Sequence, residues 1–118
     1  MAFSDILKEV VKGTEGALGA MIVGLDGMPV EEYAVNGDMD LQTMTVEYSA
    51  LLKEIEKGSQ AAQMGSTKEV TVISDNAMIM LRRLNEEYFF VLIIKPDGNF
   101  GKGRFLLRMS VPRLLKEF

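Results

Sequence analysis

Cysteine and histidine are both missing from this chain of 118 residues. Without cysteine there are no disulfides and no thiolate metal ligands, and nothing speaks for an oxidising compartment. Without histidine as well, Ser-His and Cys-His nucleophile pairs, zinc sites and the usual proton shuttle near neutral pH are all removed. Carboxylates, lysines and tyrosines are what remain for chemistry, so the residue inventory argues against an enzyme. A clustered basic stripe is also lacking, and 17 acidic against 13 basic residues leave a net charge of -4, which argues against a nucleic-acid partner. Long apolar runs are absent too. The stretch from Tyr88 to Ile94 is far too short to span a bilayer, and Met1-Ala2-Phe3-Ser4-Asp5 has no charged segment before an apolar run. The expectation is a protein of the cytoplasm with no membrane partner.

What is present is the balance of an ordinary globular chain, 47% hydrophobic and 25% charged, long enough to fold as one domain over residues 1–118. Phe3, Ile6, Leu7, Val10 and Val11 repeat at helical spacing, with Ser4 or Asp5 to cap them and Gly13 and Gly16 to break them. Leu18 to Leu25 reads as a strand. Asp26-Gly27 suits a tight hairpin with positive φ at both turn centres, returning the chain from Met28 to Val35. Pro29, Glu31 and Glu32 mark that second strand as an edge. After Asn36-Gly37-Asp38, with Asp38 or Asp40 as cap, a long helix is expected from about Asp40 to Met64. Its apolar stripe is Leu41, Met44, Tyr48, Leu51, Leu52 and Ile55.

Gly65-Ser66-Thr67 ends that helix, and three strands follow over Glu69–Ser74, Ala77–Leu84 and Tyr88–Lys95, joined by short turns. Phe89 to Ile94 is apolar without alternation, which places it at the centre of a sheet covered by helices on both faces. A last helix is expected from about Lys102 to Glu117, with Phe105, Leu106, Met109, Leu114 and Phe118 as its apolar set and a kink or break near Ser110 caused by Pro112. Met21, Met44, Met78, Met80 and Met109 fall at expected core positions; Met39 and Met64 do not clearly do so.

The order helix, hairpin, long helix, three-strand meander, helix resembles the Roadblock/dynein light chain family. The stretch from Gly16 to Val30, with its Asp26-Gly27 turn and Pro29, and Gly101-Lys102-Gly103-Arg104-Phe105 look like the bacterial MglB-like branch. The resemblance spans essentially the whole chain. It implies an α+β, profilin-like sandwich of order α-β-β-α-β-β-β-α, with a five-stranded, mainly antiparallel sheet and helices on both faces. It also implies a homodimer in which the strand after the long helix pairs with its symmetry mate. In MglB-like members that dimer binds a small Ras-like GTPase and stimulates hydrolysis without inserting an arginine. Other members are scaffolds or dynein light chains.

Two features of the residues bear on this. Glu69, Val70, Thr71, Val72 and Ile73 would form the sheet's other edge, with neither proline nor charge from Val70 to Ile73. Such an edge is covered either by a partner strand or by a loop of its own chain. On the long helix, Thr43, Val46, Ala50, Lys53, Lys57, Ala61 and Met64 cluster opposite the apolar stripe, bordered by Glu47, Glu54 and Gln60. Small and apolar residues among lysine stems suit a docking surface, and they also suit an ordinary wet face made of good helix formers.

The remaining motifs point to no chemistry. Gly98-Asn99-Phe100-Gly101-Lys102-Gly103 lacks the hydroxyl residue and the spacing of a phosphate loop, so no nucleotide or other cofactor is expected. Arg82, Arg83, Arg104 and Arg108 are the cations available for an arginine finger, but surface ion pairing explains them more simply, and Arg82 and Arg83 point to opposite faces. Glu31-Glu32 and Glu86-Glu87 read as solvated charges. The function expected is a homodimeric regulator of a small Ras-like GTPase; the alternatives are a scaffold or motor-adaptor dimer and, further off, a small-ligand sensor.

Overall fold

A computed structural model describes residues 2–37 and 39–118. In chain order the elements are α1 (Ala2–Gly13), β1 (Ala17–Gly24), β2 (Pro29–Ala34), α2 (Leu41–Ala61), β3 (Glu69–Ile73), β4 (Met78–Arg83), β5 (Tyr88–Ile94) and α3 (Phe100–Leu115). The strands form one antiparallel sheet of order β2-β1-β5-β4-β3. The expected α+β sandwich is therefore the observed one, and β5 lies at its centre.

Burial on both faces accounts for the composition of β5. Phe90, Leu92 and Ile94 pack with α1 and α3, whereas Phe89, Val91 and Ile93 pack beneath α2. Strands with period 2 buried on both sides must be apolar throughout, and β5 is.

The hairpin between β1 and β2 departs from the expected turn. Only Gly27 takes a positive φ, +88°. Gly27 N donates to Gly24 O at 3.0 Å and Gly24 N to Met28 O at 2.9 Å, the pattern of a three-residue loop closed by a glycine bulge. Asp26 contributes its carboxylate, which accepts from Met28 N at 3.0 Å.

Both longer helices bury only part of the stripe their hydrophobicity suggests: Leu41, Leu52 and Leu114 are buried and Met44, Tyr48 and Leu106 pack at the core's edge, but small polar residues complete the sheet-facing sides. The sheet-facing side of α2 is Leu41, Thr45, Ser49 and Leu52, and Leu51 is exposed. That of α3 is Gly103, Leu107, Ser110 and Leu114, while Phe105 and Met109 are 57% and 59% exposed. Thr45, Ser49 and Ser110 are tolerated inside because each hydroxyl donates to a carbonyl three or four residues back: Leu41 O at 2.9 Å, Val46 O at 3.0 Å and Leu106 O at 2.6 Å. Met109 thus leaves the set of core methionines, whereas Met21, Met78 and Met80 belong to it.

Helix ends also shift. Asp40 caps α2, accepting from Thr43 N at 3.0 Å and Thr43 Oγ1 at 2.7 Å; Asp38, the other cap candidate, lies outside the described residues. The helix stops at Ala61 rather than Met64, because Gln63 turns left-handed at φ +61°. α3 runs without interruption through Pro112 and starts at Phe100, where Asn99 accepts from Lys102 N at 3.1 Å. The glycine run before it is a capped, closely packed helix start: a Cβ on Gly103 would lie 2.8 Å from Ile94 Cδ1 and 3.0 Å from Thr14 Cγ2.

Candidate functional site

The two edges of the sheet are built differently. At β2 the register shifts between Ile22 and Val23, Pro29 has no N–H, and the N–H of Glu32 donates to Glu31 Oε1 at 3.2 Å. These devices discourage a further strand. β3 has none of them. Lys68 O accepts from Arg83 N at 2.8 Å and Ser74 N donates to Ala77 O at 2.9 Å, so the even-numbered residues of this segment face β4. By alternation, Glu69, Thr71 and Ile73 direct their N–H and C=O groups outward. Among the described residues no loop or strand covers them.

Glu69 is the one charge on β3, and it is already neutralised. Its Oε1 lies 3.0 Å from Arg82 Nη1 and its Oε2 lies 2.6 Å from Arg104 Nε, with the carboxylate largely buried. Ile73 is 72% exposed. Val70 and Val72 extend the core beneath α2 but remain half-buried at its rim.

The second surface is the outer side of α2. Thr43, Val46, Glu47, Ala50, Lys53, Glu54, Lys57, Gln60, Ala61 and Met64 are all exposed. Five of them, Val46, Ala50, Lys53, Glu54 and Lys57, line one hollow of about 430 Å³ whose other wall is Asp26 and Gly27. An adjoining hollow of about 500 Å³ shares Val46 and adds Met28, Val30 and Glu32 from the hairpin. The other five stand apart from the first hollow. Thr43 belongs to the cap, Gln60 turns back to Glu56, and Met64 lies beyond the helix end.

The exposed side of α2 is where the sequence pattern put it, but the hairpin wall beside it was not foreseen. The Asp-Gly turn is legible locally; that Gly27 shares a hollow with Ser49 and Ala50 of α2 depends on tertiary packing.

An ion-pair network joins the two surfaces. Arg83 Nη2 lies 2.6 Å from Glu56 Oε1 on α2, and Arg83 Nε donates to Thr67 O at 2.6 Å just before β3. Gln60 and the N–H of Thr67 donate to the Glu56 carboxylate, and together with the Arg83 charge they hold it down to about 2. Arg82, Arg83 and Arg104 are thus all engaged, Arg82 and Arg83 on opposite faces as their alternation requires. Among the described residues no cluster of acidic side chains suits a metal ion, and no helix is long and apolar enough to cross a membrane.

No family model matches the chain, and no curated protein does. Solved structures do. MglC from Myxococcus xanthus is 35% identical over 100% of this chain and 100% of its own, with a TM-score of 0.72. The chain belongs to the Roadblock/LC7 family. MglB from Myxococcus xanthus, at 12% identity over 100% of this chain and 98% of its own, shares the fold with a TM-score of 0.87. A Roadblock/LC7 domain from Streptomyces avermitilis, at 12% identity over 97% and 93%, superposes with a TM-score of 0.84. For this Roadblock/LC7 chain the sequence likeness therefore runs to MglC, and MglB shares its architecture.

Proposed function

We propose that this chain, acting as a single Roadblock domain over residues 1–118, is a cytoplasmic homodimer that regulates a small Ras-like GTPase and has no active site of its own. The observation that carries the reading is the asymmetry of the sheet edges. β2 is blunted, whereas β3 offers an uncharged, outward-facing ladder whose one carboxylate is neutralised internally. A second copy is the economical cover for such an edge. Edge-to-edge antiparallel pairing would place both α2 helices on one face of the continuous sheet, giving a shared surface that includes Val46, Ala50, Lys53, Glu54 and Lys57.

Of the four candidate arginines, Arg82, Arg83 and Arg104 are engaged in ion pairs, which supports regulation through the partner's own switch loops rather than an arginine donated by any of these three. The test combines sedimentation of the free protein with single-turnover GTP hydrolysis by a cognate GTPase. A dimer that binds the GTP-loaded form and changes the rate is expected. A monomer, or no complex and no rate change, overturns the reading.

A scaffold or adaptor dimer is the second reading. What favours it is that the 35% identity is to MglC, whereas stimulation of hydrolysis was implied by resemblance to MglB-like members. Binding that leaves the rate untouched would select it.

A further inference from the structure

We infer that the outer side of α3 is a second docking surface, built for an acidic amphipathic helix of another protein. It lies on the face of the sheet opposite α2, apart from the surface proposed for the GTPase, and needs neither the GTPase nor a second copy of the chain.

Charge comes first. Every charged residue of α3 is a cation: Lys102, Arg104, Arg108 and Arg113, with no carboxylate from Phe100 to Leu115 in a chain whose net charge is -4. The other exposed helix, α2, instead mixes Lys53 and Lys57 with Glu47, Glu54 and Glu56. Two of the α3 cations are neutralised internally, Arg104 by Glu69 and Arg113 by two bonds to Glu9 at 3.0 and 2.9 Å. Lys102 and Arg108 are exposed and have no carboxylate partner among the described residues.

Apolar side chains fill the space between these two free cations. Phe105 and Met109, one turn apart, are more than half exposed, and Pro112 continues their line at i, i+4 and i+7. Met109 stands as a ridge with a hollow on either side. One hollow, of about 350 Å³, is lined by Arg82, Phe105, Arg108 and Met109. The other, of about 360 Å³, has Lys102, Leu106, Met109 and Arg113 along α3, with Glu9 and Gly13 across from them on α1. The only carboxylate in either hollow is Glu9, which Arg113 already engages.

A ridge flanked by two grooves is how one helix receives another, and anchors at i, i+4 and i+7 are what an amphipathic partner reads. The complement is a helix whose apolar side chains enter the hollows beside Met109. Its carboxylates then reach Lys102 on one flank and Arg108 on the other, where the guanidinium can take a carboxylate through two bonds. An anionic bilayer fits less well. A flat surface cannot enter hollows on both sides of a ridge, and two unpaired cations fall short of the roughly four to eight that lipid-binding clusters carry.

The probe is a fluorescent synthetic peptide of about 16 residues, long enough to be helical, with leucines at i, i+3, i+4 and i+7 and glutamates on both flanks. It is titrated with the full chain and followed by anisotropy, and a copy with lysine for every glutamate is the control. Phe105→Ser, Arg108→Glu and, on α2, Lys53→Glu are compared after each is checked for the parent's melting temperature; all three positions are exposed. The acidic peptide is expected to bind in the micromolar range and the lysine copy not to bind. Phe105→Ser and Arg108→Glu should each weaken binding by about tenfold or more, Lys53→Glu should leave it unchanged, and added salt should weaken it. No binding of the acidic peptide, binding that neither α3 variant weakens, or a loss in Lys53→Glu as large as theirs overturns the inference. So does sedimentation of the chain with phosphatidylserine vesicles that depends on Arg108 while the peptide stays free, which would assign the face to a membrane. No GTPase enters the assay, so any of these failures leaves the regulator reading standing.

Discussion

Hydroxyl groups decide the interior at the scale of single residues. Thr14, Thr45, Ser49 and Ser110 are the buried polar residues among those described, and all lie on or just after a helix, with carbonyls one turn back to satisfy them. Small side chains of this kind let helices approach the sheet, and Gly103 takes the approach further. Gly103→Ala would press a methyl group against Ile94 and Thr14 and is expected to cost about 1–3 kcal/mol, read from urea denaturation. Asp40→Ala removes both contacts to Thr43 and is expected to cost about 1 kcal/mol in the same measurement.

Glu56 adds a pH dependence. Its carboxyl lies at about 2 in the folded chain against an ordinary 4.5, so the native state holds it ionised more strongly than the unfolded state does. The resulting stabilisation is complete above about pH 4.5 and fades as pH falls towards 2. The stability difference between the parent and Glu56→Gln should therefore be largest near neutrality and shrink through that acid window in melts at stepped pH.

At the scale of elements, hydrophobicity misleads where a seam is made of small residues. The patterns of α2 and α3 pointed to Leu51, Phe105 and Met109, yet the seams are Leu41-Thr45-Ser49-Leu52 and Gly103-Leu107-Ser110-Leu114. In each, two buried leucines carry apolar contact, joined by half-buried Met44 and Tyr48 on α2 and Leu106 and Val111 on α3, and the small hydroxyl residues beside them satisfy their own polar atoms. β5 was legible for the opposite reason, since burial on both faces leaves an unbroken apolar run. β3 was legible as an edge, but which of its backbone groups face outward required the ladder with β4. That ladder yields a prediction. The N–H of Thr71 makes no bond to β4, so Thr71→Pro should leave the monomer fold intact. In the proposed dimer it removes backbone bonds at the β3 edge worth about 1 kcal/mol each, so the dissociation constant measured by sedimentation should rise by about tenfold or more.

Over the whole molecule, the sheet separates two kinds of surface. α1 and α3 cover one face, and α2 with the hairpin wall covers the other, tied to β3 through the contacts among Glu56, Arg83 and Thr67. The proposed GTPase, docking across paired α2 helices, would meet Ala50, which lines the hollow. Ala50→Arg is expected to weaken that complex by roughly tenfold or more without lowering the melting temperature, since the position is exposed. Arg108→Ala, on the α3 side, should leave binding unchanged when both are titrated by calorimetry.

Composition, periodicity and turn chemistry were enough to determine the order of elements, the central place of β5, the edge character of β2 and the outer face of α2. Each is a local pattern whose period or punctuation is written along the chain. Tertiary structure alone decided that Thr45, Ser49, Gly103 and Ser110 join the buried stripes while Leu51, Phe105 and Met109 are left out, because small size and self-satisfied hydroxyls suit a narrow seam. It also decided that Glu69 is neutralised by Arg82 and Arg104, and that the hairpin walls the α2 surface. Those contacts join residues distant along the chain, and only packing brings them within reach.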